Sequence, residues 1–277
     1  MSRPCIGVVG VGTVGGALVA AFDGEAEVLL RDPALDRSSS MEELVARCSV
    51  VFLCVPTPEG PGGAADLTAY QDGVDRFVAA GGVGPTAPIL CVRSAVPPHA
   101  IADTLAKQPQ LRLVVAPEFL RQRSAVADML AMRTLVLGGA PEDCAVVERL
   151  FREHSHVTGP MRTPPPLDAV AASFLKYQAN CFLAMKVTFM NELRDLFDAT
   201  PSGCSWEALQ EAFHLDHERF GTTHWQVPGP DGRRGWGGHC LPKDVAAVRA
   251  WAAEQSVPTP ILDAVAQRNE GDRARTD

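Results

Sequence analysis

The stretch CIGVVGVGTVGGALVAAF, residues 5–22, decides the fold. Its first half is a short apolar, β-branched run, and its second half places small and apolar residues at helical spacing. Between the two, Gly10, Gly12 and Gly15 spell GxGxxG. Glycines at that spacing permit a tight turn, a close approach of backbone to a pyrophosphate, and close packing of helix on strand, so that the pyrophosphate rests on the helix N-terminus. Asp32 follows the next strand-like run, EVLLR (27–31). A carboxylate there accepts hydrogen bonds from a ribose diol and repels a 2′-phosphate, which favours NAD over NADP. Arg37 pulls against that preference, and the plainer alternative is that Asp32 only caps a strand end.

Outward from this motif the pattern repeats. Further apolar runs stand at VVFLCV (50–55), PILCV (88–92), LRLVVA (111–116) and RTLVLGG (133–139), separated by amphipathic segments. Strands apolar on both faces belong to a parallel sheet covered by helices. The expected class is α/β, a Rossmann-type doubly wound, mostly parallel sheet followed by an all-helical domain with a long central helix. The proline-rich GPMRTPPPLD (159–168) marks the expected boundary, with a dinucleotide-binding domain over 1–163 and a helical domain over 164–277. A long helix is expected over 168–198, where Val170, Phe174, Tyr177, Cys181, Met185, Phe189 and Leu193 recur at helical spacing.

Composition removes several function classes. With 277 residues, 46% hydrophobic and 21% charged, the chain reads as globular, and only the polar tail 269–277 has the composition of disorder. A net charge of −8 leaves no basic stripe for nucleic acid. The chain opens almost directly into a strand, without a charged n-region and separate apolar h-region, and no apolar run approaches the roughly 18–20 residues that span a bilayer. The expectation is a cytosolic protein with no membrane partner. Eight cysteines include no CxxC, and neither His154 with His156 nor His214 with His217 has partner cysteines at ligand spacing, so neither a disulfide framework nor a metal is expected. Four of the 25 basic residues are lysines (Lys107, Lys176, Lys186, Lys243), which draws notice to each one.

Three segments carry polar groups that packing does not ask for. APEFLRQR (116–123) puts Glu118 just past a buried strand, at the sheet edge where such folds bind ligands. FLKYQANCFLAMK (174–186) places Lys176 and Asn180 four apart, on one helix face. GWGGHCLPKD (235–244) surrounds Cys240 with glycines and follows it with Lys243 and Asp244. A thiol that attacks an aldehyde forms a thiohemiacetal, whose oxyanion an ammonium and a carboxamide on one rigid face can stabilise. Asp244 could move a proton through a water. A free thiol ionises near about 8.5 and needs a neighbouring cation, Lys176 or Lys243, to react at neutral pH. Each residue also has a plain reading: Cys240 as a small buried residue, Lys176 and Asn180 as a solvated face, Glu118 and Asp244 as carboxylates of helix first turns.

The chain resembles the nucleotide-sugar 6-dehydrogenases, the family of UDP-glucose and GDP-mannose dehydrogenases. The resemblance runs through GVVGVGTVG, VVFLCVPTP (50–58), SAVPP (94–98), PEFLR (117–121), LKYQANCFLAMKVTFMNE (175–192) and RFGTTHWQVPGPDGRRGWGGHCLPKD (219–244). It implies oxidation of a primary alcohol to a carboxylate with two NAD, through two hydride transfers and a thioester on Cys240. Lys176 and Asn180 then become oxyanion donors, Asp244 the water-holding proton acceptor, and Glu118 the carboxylate of thioester hydrolysis. The cofactor would meet Gly10, Gly12, Thr13, Val14, Gly15, Asp32, Val55, Pro56, Thr57, Ser94 and Lys243. The substrate would meet Phe119, Leu120, Gly237, Gly238 and Arg219, the last supplied across a homodimer built on helix 168–198. On this view Gly235, Gly237 and Gly238 let the loop backbone lie against the sugar.

The chain departs from the family pattern in four places. Ala95, Gln122 and Ser173 stand where the family has threonine, a second carboxylate and glutamate. The family's second nucleotide-binding domain is not expected in the thirty or so residues after CLPKD, which points to a smaller alcohol, or a nucleotide-linked one held by fewer contacts. Two further readings stay open: a two-electron β-hydroxyacid-type dehydrogenase, which has no use for the thiol, and a non-catalytic truncated homologue.

Overall fold

The computed structural model describes residues 3–215, 221 and 223–275. Five strands, β1 (Cys5–Val9), β2 (Glu27–Arg31), β3 (Val50–Leu53), β4 (Ile89–Val92) and β5 (Leu113–Val115), form one parallel sheet in the order β2-β1-β3-β4-β5. The intervening helices are α1 (Thr13–Phe22), α2 (Met41–Arg47), α3 (Thr68–Ala79) and α4 (Pro98–Lys107), with α5 (Ala125–Leu130) and α6 (Pro141–Glu153) after the last strand. Alternate strand residues point to opposite faces, so a sheet covered twice needs apolar residues at every position. Val50 and Phe52 of β3 pack with Leu18 and Phe22 of α1 and with Val147 and Phe151 of α6. Val51 and Leu53 pack on the other face with Leu44 of α2, Tyr70 and Phe77 of α3, and Ile101 of α4. Helices on both faces make the expected doubly wound sheet. Its order reverses between β1 and β3, the switch point where ligands of such sheets bind at the carboxyl edge.

The expected sixth strand, 133–139, does not form. It makes only isolated bridges, Thr134 with Arg162 and Gly138 with Val115 and Leu167. Gly138 lies so close to helix backbone that an added Cβ would stand 2.5 Å from the Asp168 carbonyl oxygen, and Gly139 takes φ 155°. Two adjacent glycines pressed between neighbours leave no run of side chains to continue a ladder.

The helical part comprises α7 (Ala169–Asp198), α8 (Trp206–His214), α9 (Cys240–Glu254) and α10 (Pro260–Ala274). The chain divides into two compact units, residues 1–58 with 65–176, and residues 59–64 with 177–277. Compactness thus changes inside α7, whereas composition changes at 159–168. The residues at helical spacing on α7 do not share one buried face: Tyr177 and Cys181 are buried, while Phe174 and Phe189 are exposed. Nor is the polar tail irregular as far as Ala274. Helix α10 continues to Ala274, with Asn269 and Asp272 buried, because arginines and backbone groups satisfy their polar atoms.

Candidate active site

In the sheet unit the three motif glycines do three different jobs. Gly10 turns the chain at φ 87°, and a Cβ on it would stand 2.7 Å from the Cys54 carbonyl oxygen. A Cβ on Gly15 would sit 1.9 Å from the Gly10 carbonyl oxygen, so the helix packs on the turn only without one. At Gly12, the N-cap of α1, a Cβ meets nothing within 4 Å. The first turn of α1, which contains Thr13 and Val14, carries no capping side chain and no carboxylate. Its N–H groups and positive dipole end therefore suit an anionic pyrophosphate.

Asp32 stands beside this turn. Its carboxylate accepts the N–H of Val11 at 2.6 Å and that of Ala34 at 2.9 Å. Those two backbone donors, Val11 foremost, hold its carboxyl below the usual carboxylate range. It therefore stays anionic and fixes the turn while lying at the strand end where a ribose diol is expected. The residues present fit a dinucleotide.

The loops after β3 and β4 are tied together by hydroxyls. Ser94 donates to the Val55 carbonyl at 2.7 Å, and Thr57 to the Ala95 carbonyl at 3.0 Å. Pro56 between them is exposed. Ser173 donates to the Val96 carbonyl at 2.5 Å, which gives this departure from the family pattern a structural role.

Glu118 and Lys176 form a buried pair and not a solvated surface, a pairing the sequence did not announce. Lys176 is 7% exposed and donates to the Glu118 carboxylate at 3.0 Å and to its carbonyl at 2.5 Å. The second Glu118 oxygen accepts the Leu120 N–H at 2.6 Å. Phe119 is exposed, with the Lys176 ammonium 5.3 Å from its ring centroid. The loop's far end is clamped by Asp128, which accepts from the Arg121 backbone and guanidinium and from Ser124.

In the helical unit a second buried group forms around Asp244, which is 1% exposed. One oxygen accepts from the Asn180 carboxamide and the other from Lys243 at 2.6 Å. Burial and the Asp244 charge push the Cys181 thiol up to about 12, keeping it protonated. Cys240 does not lie in a glycine loop. It is the first residue of α9, exposed, and one turn ahead of Asp244.

The glycines before it also differ from expectation. A Cβ on Gly235 would stand 2.4 Å from Asn269 Oδ1, and one on Gly237 would stand 2.9 Å from the Arg273 guanidinium. Protein side chains of α10 fill that space. Only Gly238, at φ 78°, has nothing within 4 Å.

Sequence reasoning missed the groups that hold this loop. Asn269 grips the Trp236 backbone at both its N–H (2.7 Å) and its carbonyl (3.1 Å), Asn191 accepts the Gly235 N–H at 3.1 Å, and Thr188 accepts the Trp236 indole at 2.8 Å. Thr188 and Asn191 follow Asn180 at spacings of eight and eleven on α7, a periodic polar signal that was available. Asn269 carried none, standing in a polar tail. Arg219 lies outside the described residues. Among the described residues no group of three or more His, Cys, Asp or Glu could hold a metal, and no helix is long and apolar enough to cross a membrane.

Comparison with known proteins agrees with the motifs. The chain is 33% identical to the UDP-glucose 6-dehydrogenase of Pseudomonas aeruginosa over 262 residues, covering 88% of this chain and 54% of the relative. It is 29% identical to the Rickettsia bellii enzyme of the same name over 245 residues, covering 87% and 54%. The chain thus spans about half the length of these relatives. A UDP-glucose dehydrogenase structure from Pyrobaculum islandicum superposes with TM-score 0.78 at 25% identity, covering 98% of this chain and 68% of that one. A 3-hydroxyisobutyrate dehydrogenase from Mycobacterium tuberculosis shares the fold, with TM-score 0.73 at 19% identity, covering 99% and 96%. Residues 27–155 match the NAD binding domain of the UDP-glucose/GDP-mannose dehydrogenase family and residues 170–271 its central domain, so the chain belongs to that family.

Proposed function

We propose that this protein oxidises the primary alcohol of a nucleotide-linked sugar, or of a related smaller alcohol, to a carboxylate in two NAD-dependent steps, with Cys240 as the covalent nucleophile. The observation that carries the reading is the Asn180–Asp244–Lys243 cluster. It buries a carboxylate and a carboxamide one helical turn from an exposed cysteine, an expensive arrangement that packing alone does not require.

The chain's own groups divide the work. Gly12 and the uncapped first turn of α1 receive the pyrophosphate, and Asp32 the ribose. Bound NAD would accept a hydride in each oxidation. Cys240 attacks the aldehyde carbon, forming a thiohemiacetal and then, after the second oxidation, a thioester. Lys176 spends two of its three N–H groups on Glu118, and Asn180 one of its two on Asp244. Each keeps a donor for the oxyanion. Glu118, anchored by Lys176 and Leu120, serves the hydrolysis of the thioester. Asp244 takes the released proton through water, with the Lys243 ammonium bound to its other side at 2.6 Å. Phe119, Leu120, Gly238 and Arg219 are assigned to the substrate, as is the Gly237 backbone.

The same reading makes the helical part, 164–277, a dimerisation and catalytic domain. Phe182, Phe189 and Leu196 recur every seven residues along α7 and are 58%, 55% and 61% exposed, a stripe that a second copy of this chain would cover. A reaction drawing on NAD and nucleotide-linked sugars belongs to the cytosol.

The test is stoichiometric. A thermal-shift screen of alcohols and nucleotide sugars with NAD identifies a substrate, and NADH formed per molecule consumed is then counted. Two is expected, with Cys240→Ala abolishing acid formation. One NADH, with activity surviving that substitution, would establish the β-hydroxyacid-type reaction instead.

A further inference from the structure

Away from the candidate site, two thiols face each other at the opposite edge of the sheet. Cys5 opens β1 and Cys48 stands two residues before β3, with their Sγ atoms 3.7 Å apart. We propose that Cys5 and Cys48 are a reversible disulfide site that staples β1 to β3, with a low-molecular-weight disulfide such as oxidised glutathione as its oxidant.

The backbone is already in place. β1 and β3 pair in parallel with Ile6 opposite Val50, and the Ser49 N–H donates to the Cys5 carbonyl at 2.9 Å. Cys48 is also the C-cap of α2, its N–H bound to the Leu44 carbonyl. Neighbouring strands hold Cα atoms within the range a disulfide spans, and the bond itself is about 2.05 Å long, so side-chain rotation closes the gap. Cys5 is half-buried and meets the oxidant; Cys48, 7% exposed, resolves. Burial pushes both thiols up, Cys48 the further, with Glu27 and Arg47, themselves ion-paired, as the charged groups beside them. Exchange is accordingly slow at neutral pH and faster in mildly alkaline buffer.

The chemistry balances without another acceptor. The Cys5 thiolate attacks one sulfur of oxidised glutathione, forming a mixed disulfide and releasing a glutathione thiolate. Cys48 gives up its proton and attacks the Cys5 sulfur, forming the Cys5–Cys48 bond and expelling the second glutathione. Two protein thiols are oxidised and one disulfide is reduced to two thiols. The pair lies at the far end of β1 from the Gly10–Gly15 turn, so the staple firms the sheet without entering the dinucleotide site.

The native full chain is incubated with oxidised glutathione in mildly alkaline buffer, remaining thiols are alkylated, and the product is mapped by mass spectrometry, with fragmentation separating Cys48 from Cys54. Two fewer alkylated cysteines and a Cys5–Cys48 linkage are expected, with Tm raised by roughly 5–10 °C and restored by reductant. Cys48→Ser should stop at the Cys5–glutathione adduct with no rise in Tm. Alkylation of both thiols after native oxidation, linkage to other cysteines, or a fall in Tm on oxidation would overturn the proposal. So would the same linkage appearing only in denaturant.

Discussion

Gly12 and Gly15 look alike in the sequence and differ in what a methyl group would meet. Gly15→Ala drives a Cβ into the Gly10 carbonyl, so loss of fold stability by several kcal/mol is expected, read as a lower urea midpoint. Gly12→Ala enters open space at a φ of −80°, which any residue adopts. Its Tm should stay within a few degrees, while NADH affinity falls about tenfold or more because the methyl occupies the pyrophosphate's approach. Equal Tm losses in the two variants would show that Gly12 is structural. Lys176 allows a similar separation. With side chains 8% and 10% exposed, Lys176 and Glu118 form a buried pair, so Lys176→Met strands a carboxylate and should cost about 3–5 kcal/mol in urea unfolding. The double variant Lys176→Met, Glu118→Gln removes both charges and should recover most of that loss while remaining inactive. If the single variant is as stable as the parent, the pair is not closed in solution.

At the scale of elements, the Glu118 loop depends on its join to α5. Asp128 takes bonds from Arg121 and Ser124, and the Arg121 guanidinium holds its carboxyl down at about 2. A carboxyl lowered on folding contributes stability that is fully present above its ordinary value near 3.9 and is lost as pH falls toward 2. With Arg121 largely exposed, the contribution is on the order of 1–2 kcal/mol. Asp128→Asn should lower stability by that amount at neutral pH and flatten its decline between about pH 4 and pH 2; an unchanged acid profile would remove Asp128 from the account. The sequence was most legible where an element repeats a period: the strands through β5 and the helix 168–198 fell within a few residues of their observed limits. It was less legible where a neighbour decides. Residues 133–139 have strand composition, but Gly138 and Gly139 are pressed against α7 and β5, and the segment makes isolated bridges instead of a ladder. The glycines before Cys240 read as ligand space, whereas α10 fills two of them, a contact across more than thirty residues that no local pattern encodes. Glu118, Lys176, Asn180 and Asp244 were recognisable as residues, but not their pairing of Glu118 with Lys176 and Asn180 with Asp244.

At the scale of the whole molecule, the exposed stripe on α7 is what a single chain leaves unexplained. Three large apolar side chains more than half exposed at heptad spacing cost solubility unless covered, and roughly 25 cal/mol per Å² of apolar surface returns on burial. Their spacing matters more than their number, because a period of seven keeps all three on one seam along some 20 Å of helix, where a partner's seam can interdigitate with it. Between Phe174 and Leu196 the exposed residues of α7 are apolar except Gln178 and Glu192. Replacing Phe182 and Phe189 by glutamate puts like charges on both copies of a symmetric seam, so light scattering should show the parent as a dimer and the double variant as a monomer. Because neither side chain belongs to the internal core, the helical circular dichroism of the variant should match the parent's. If the substrate site takes Arg219 from the neighbouring subunit, the monomer should also lose substrate turnover while retaining NADH binding at the Gly10–Gly15 turn. A parent that is monomeric at micromolar concentration, or a double variant that remains dimeric, would move the interface off α7.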